Sequence, residues 1–134
     1  MSRDEVAKTA FRAGVEAIGR TSLQEALRYF GRACGRDPDV PRYEIYRAWV
    51  TYQLIASASQ VGSDLRLASC RAVLIDAIAK DPEFDAGYVL LGTILLSEGR
   101  ASRARQCFER ALALNPDNVG AQMGLDSSEL SNTD

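Results

Sequence analysis

Tyr88 to Pro116 reads YVLLGTILLSEGRASRARQCFERALALNP. In its second half Ala104, Cys107, Phe108, Ala111 and Leu112 fall at i, i+3, i+4, i+7 and i+8, which lays a single apolar stripe along one helix. The first half is apolar but broken by Gly92, and Gly99 separates the two halves. Two helices approach closely only where small side chains meet. Gly92 and Ala104 supply that contact, and Phe108 has the volume to fill the wedge beside them.

The stretch closes on Asn115-Pro116, and the same punctuation recurs at Asp37-Pro38 and Asp81-Pro82. Proline has no N–H to give a helix and biases the preceding residue away from helical geometry, so each pair ends one helix and prepares the next. Pro82 and Pro116 lie 34 residues apart, and Pro38 and Pro82 lie 44 apart. The middle unit therefore carries about ten extra residues, and Ser57 to Ser63 is where a lengthened turn falls.

The quoted stretch resembles the tetratricopeptide repeat, a pair of antiparallel helices with a signature at Tyr88, Leu91, Gly92, Leu95, Gly99, Ala104, Phe108, Ala111 and Pro116. A looser match covers Ala10, Ala13, Gly14, Ala17, Ala26, Phe30, Ala33 and Pro38. A third, between them, is clearest at Cys70, Leu74, Ala77 and Pro82. Its first helix offers Ile45, Ala48, Trp49 and Tyr52 in an open register. The resemblance implies an all-α, right-handed superhelical stack of antiparallel helix pairs, six helices plus a short C-terminal capping helix, in a single domain of the bacterial type. Repeat 1 is expected over about 4–38, repeat 2 over about 41–82, repeat 3 over about 83–116 and the cap over 117–130. The helices are expected near 4–19, 22–35, 41–58, 64–80, 83–98, 101–114 and 117–130. Ser22 with Glu25 reads as a capping box, and Ser63 as a cap for the fourth helix.

Composition narrows the function. With 134 residues and 46% hydrophobic content, the chain can bury roughly two-thirds of its unfolded surface. A net charge of −2 from 16 basic and 18 acidic residues gives no field that calls for nucleic acid or an anionic membrane. There is no apolar run of bilayer length, and Arg3, Asp4, Glu5 and Lys8 stand where a signal peptide is apolar, so a cytoplasmic address is expected. Cys34, Cys70 and Cys107 form no CxxC pair and the chain has no histidine. No metal site, cofactor or disulfide is expected, and an enzymatic role lacks its commonest general base. Gly14 and Gly19 have the spacing of a phosphate loop, but Arg20-Thr21 follows where lysine is needed. Arg28, Arg32 and Arg36 make a helical stripe interrupted by acidic neighbours, which reads as a solvated face.

By the resemblance, the first helices of successive repeats line a concave groove that holds a partner. The inward faces are expected to include Phe11 and Val15, then Tyr43, Tyr46, Arg47 and Val50, then Val89 and Thr93. Trp49 and Tyr52 are expected in the core. Such a wall is apolar and partly aromatic with one cation, suited to a peptide bearing bulky apolar side chains. The competing reading has some of these residues packing against the N-terminal segment or the extra residues of repeat 2. Family members that bind a C-terminal carboxylate set lysine and asparagine in the first repeat, where this chain has Phe11 and Val15. The expected function is protein or peptide binding, as an adaptor, scaffold or co-chaperone or as part of a larger protein, by a monomer or weak homodimer. Self-association and secretion-type chaperoning are the alternatives.

Overall fold

The computed structural model describes residues 2–58 and 63–131, and among these every regular element is a helix. The order is α1 (Arg3–Gly19), α2 (Leu23–Arg36), α3 (Pro41–Ala58), α4 (Ser63–Lys80), α5 (Asp85–Ser97), α6 (Ala101–Leu114) and α7 (Val119–Ser131). Ser57 and Ala58 belong to α3 and Ser63 opens α4, while the rest of the expected long turn lies outside the described residues. The chain divides into two compact units, Met1–Ala77 and Ile78–Asp134.

Unit 1 is built on α1 against α2, with α3 on α2. Its core runs through Ala7, Ala10, Ala17, Ala26, Phe30, Ala33 and Val50, all buried. Phe30 faces Gly14 so closely that a Cβ on the glycine would stand 2.5 Å from the ring. Ser2 caps α1 by accepting from the Glu5 N–H at 3.1 Å. The capping box expected at the start of α2 does not form. Ser22 is the N-cap residue but makes no side-chain cap bond, and Glu25 reaches Arg20 instead, at 3.5 Å. The Ser22 N–H is spent on the Ala17 carbonyl at 2.9 Å, which closes the turn and takes the donor that the Glu25 carboxylate would accept in a box.

Unit 2 repeats this construction with the numbers advanced by 78 (92 − 14, 108 − 30). Phe108 is fully buried against Gly92, where a Cβ would stand 2.6 Å from the ring. The turn repeats as well: Arg100 N–H donates to Leu95 O at 2.9 Å, as Ser22 does to Ala17. Gly99 occupies the turn with φ +79°, and its counterpart Thr21 takes φ +58°. Only the glycine does so without strain, since a β-branched residue in the left-handed region crowds its own carbonyl. α7 packs on both α6 and α5, and Gly124 presses on the other side of the Phe108 ring.

α5 starts two residues later than expected because Asp81 to Phe84 form a turn, with the Phe84 N–H on Asp81 O at 3.1 Å. Tyr88 ties its first turn back to that loop through a 2.9 Å bond from its hydroxyl to Pro82 O. α7 likewise starts at Val119, where the Asn118 side chain accepts from the Ala121 N–H at 2.9 Å. Asp85 braces the α6–α7 connection, accepting from the side-chain amides of Asn115 and Asn118 at 3.0 and 2.8 Å. Partial burial pushes the Asp85 carboxyl up, but those amide bonds outweigh it and hold it below the usual carboxylate value.

Gly14→Ala and Gly92→Ala are each expected to destabilise the chain by about 1–3 kcal/mol in urea titrations, whereas Gly19→Ala, which meets nothing within 4 Å, is neutral or stabilising. Thr21→Gly raises stability by about 0.5–1 kcal/mol and Gly99→Thr lowers it by about 1–2 kcal/mol. Because the folded Asp85 carboxyl is more acidic than the unfolded one, its contribution is present above the unfolded value and lost as pH falls through the folded one. Wild type therefore loses thermal stability below about pH 4 more steeply than Asp85→Asn.

Candidate functional site

The residues expected on an inner wall divide between the two units. In unit 1, Phe11 sits among three other rings, with centroids 5.7 Å from Phe30, 5.1 Å from Tyr43 and 5.2 Å from Tyr46. Tyr46 is in turn 5.4 Å from Phe30. These tilted and edge-on arrangements are the favourable ones for aromatic side chains. Val15 remains open, with 39% of its surface exposed.

Two assignments are corrected. Val50 is fully buried in the core with Phe30, and Tyr43 is buried in a second cluster with Ala7, Ala33 and Cys34. Both side chains are covered by the protein's own core. α3 carries buried residues at Tyr43, Ile45, Ala48, Val50 and Tyr52, too many directions for one stripe, so a helix buried on more than one side gives no periodicity to separate wall from core. Tyr52 is buried as expected, while Trp49 is half-buried at the edge of the core.

Arg47, expected as the cation of the wall, forms an ion pair with Glu44 at 2.7 Å. The same carboxylate accepts the Cys34 thiol at 3.5 Å. Burial pushes that thiol up to about 11, with Arg47 pulling it down and Glu44 adding to the rise, so Cys34 is protonated and unreactive at neutral pH. Arg47 and Glu44 border a hollow of about 230 Å³ with Thr51, Ser69, Cys70 and Val73. Its charges are matched to each other, and Cys70 is itself raised by burial.

In unit 2, Val89 and Thr93 line an open cleft of about 480 Å³. Leu96 and Ser97 continue the α5 wall, Gly120, Met123, Gly124 and Ser127 form the α7 wall, and Phe108 lies beneath. No lining residue is ionisable. Thr93 and Ser97 turn their hydroxyls back to the Leu90 and Ile94 carbonyls, at 2.7 Å each, which leaves their methyl and methylene groups to the opening. Glycine makes the α7 wall low: a Cβ at Gly120 would come within 3.2 Å of Val89. Treating α7 only as a cap hides this wall from a reading of the sequence. The available signal was the pair Gly120 and Gly124, one helical turn apart on α7.

Among the described residues no group of three or more His, Cys, Asp or Glu stands together as a metal site. No helix among them is long and apolar enough to cross a membrane.

Comparison with known proteins places these features. A family model described as the tetratricopeptide repeat matches residues 86–118. A curated relative, small glutamine-rich tetratricopeptide repeat-containing protein 2 of Mycosarcoma maydis, is 27% identical over 117 residues, which is 87% of this chain and 30% of that protein. The chain thus spans about a third of the relative's length. The Arabidopsis OM64 TPR domain superposes with a TM-score of 0.71 at 19% identity, covering 96% of this chain and 98% of that one. The first TPR of Spaghetti (RPAP3), solved bound to the HSP90 peptide SRMEEVD, gives a TM-score of 0.71 at 19% identity over 96% of each chain. The chain therefore has the fold of a tetratricopeptide domain, an all-α helical-repeat architecture, and its residues 86–118 carry the match to that repeat family.

Proposed function

We propose that this chain is a protein-interaction module that holds a segment of another protein in the α5–α7 cleft, as an adaptor of the co-chaperone kind and not as an enzyme. The observation that supports the reading is the cleft itself: an open apolar hollow, lined by Val89 and Thr93, with no ionisable group in its walls. Hollows of this type favour apolar side chains, with affinity coming from area removed from water. The resemblance to domains solved with bound peptides supports a peptide or protein as the ligand.

The mode differs in charge from that of the RPAP3 domain, whose peptide ends in Glu-Glu-Val-Asp. Phe11 and Val15 stand where tail-binding relatives are expected to carry lysine and asparagine, and Arg47 is neutralised by Glu44. A carboxylate buried in the cleft would have no counter-charge and would cost several kcal/mol. An apolar segment carries no such penalty. The division into three repeats followed by α7 is part of this reading, supported by the recurring Asp-Pro and Asn-Pro pairs.

A second reading, self-association, is favoured by the exposed apolar side chains of α7, where Val119 and Leu130 are 63% and 88% exposed and Met123, at the cleft, is 64% exposed. Light scattering that finds a monomer throughout the micromolar range removes it.

The test of the main reading is a random peptide library displayed on phage, selected on the purified chain and followed by affinity measurements with purified peptides. Thr93→Arg, which brings a charge to the cleft, is expected to weaken the selected peptides about tenfold or more, with helicity unchanged, while Arg28→Ala on an exposed face of α2 has no effect. Peptides that bind Thr93→Arg as tightly as wild type would overturn the assignment.

A further inference from the structure

We propose that the α5–α7 cleft is a receptor for an uncharged aromatic side chain of the partner, a refinement that rests on the reading of this cleft as the binding site. The chain carries its own point of comparison. With the numbering advanced by 78, α3 corresponds to α7 (119 − 41) as α1 does to α5. Unit 1 sets Phe11, Tyr46 and Trp49 at the positions where unit 2 has Val89, Gly124 and Ser127. All three rings of unit 1 pack against the core around Phe30, and Phe11 meets Tyr46 edge to face at 5.2 Å.

Unit 2 keeps the same foundation, a buried phenylalanine wedged on a glycine, but has a smaller, non-aromatic residue at each of the three positions. What unit 1 fills with its own rings, unit 2 leaves as a cleft of about 480 Å³. A dry apolar cavity of about 150 Å³ is enough for benzene, so one ring and its flanking backbone fit. The buried Phe108 ring lies beneath the cleft, and Met123 lines its α7 side, with a thioether of the kind that makes favourable contacts with aromatic rings.

Charge selects among the possible occupants. With no ionisable residue in the lining, phenylalanine, tyrosine or tryptophan enters without leaving a charge unpaired, whereas glutamate, aspartate, lysine or arginine would have to shed its hydration for nothing in return. The complement is neutral and flat-sided, and in this proposal the partner protein supplies it.

The test uses four probes on the whole chain: the N-acetyl amides of phenylalanine, tyrosine, leucine and glutamate. Each is titrated while the backbone amide resonances of Thr93, Gly120 and Gly124 are followed by NMR. The aromatic amides are expected to shift these resonances at concentrations about tenfold below those needed for leucine amide, and glutamate amide to shift none. Val89→Phe, which places in unit 2 the ring that Phe11 supplies in unit 1, is expected to abolish the response. Thr93→Phe, filling the cleft from the next turn, should do the same, so that failure of one variant to fold leaves the other as the test. Leucine or glutamate amide acting as strongly as the aromatics would overturn the choice of ring while leaving the cleft as a binding site. No response to any probe would overturn the receptor itself, and the wider reading then stands or falls on the Thr93→Arg measurement with library peptides.

Discussion

A phenylalanine ring pressed onto a glycine is the contact on which each unit depends. Phe30 on Gly14 and Phe108 on Gly92 leave no room even for a methyl group, so the paired helices approach to the distance set by one ring thickness. Both rings are fully buried, and truncating such a side chain typically costs about 3–5 kcal/mol. The tight turn after each first helix follows from this spacing, because two helices held so close need an abrupt reversal. A positive φ at Gly99 supplies it cleanly, while Thr21 accepts strain to do the same. The next helix is then set by what stands on the far side of the ring.

That far side is where the two units diverge. Tyr46 packs at a tilt on Phe30 and meets Phe11 edge to face, so unit 1 closes its own hollow with aromatic packing. Gly124 touches Phe108 with backbone alone, so α7 comes close and leaves the hollow open above it. One scaffold therefore gives a sealed core in the first case and a cleft in the second. The cause is side-chain volume at corresponding positions, with no change in the helix order.

Much of this was legible from residues. Gly92, Ala104 and Phe108 could be placed in the helix interface because small-to-large complementarity is local, and the Asp-Pro and Asn-Pro pairs located helix ends to within two residues. The wall was harder. Val50 and Tyr43 look like surface candidates on a helical wheel only if one knows which side of α3 is covered, and α3 is apolar in too many directions for the pattern to say. Arg47 looked like a free cation because its partner Glu44 lies one turn away on the same helix, a pairing that the sequence permits without requiring. The α7 wall is hidden in the sequence for a different reason: glycines contribute a surface by having no side chain, and hydrophobic patterning records only what is present.

The claim that ring and glycine form one unit is tested most directly by a double-mutant cycle on Gly92→Ala and Phe108→Leu, with unfolding free energies from urea titration. If the two residues share one contact, the smaller side chain of Phe108→Leu makes room for the added methyl group, and the double variant is more stable than the sum of the single losses by about 1 kcal/mol or more. Losses that simply add would mean that ring and glycine act independently, and the close helix spacing would then need a different cause.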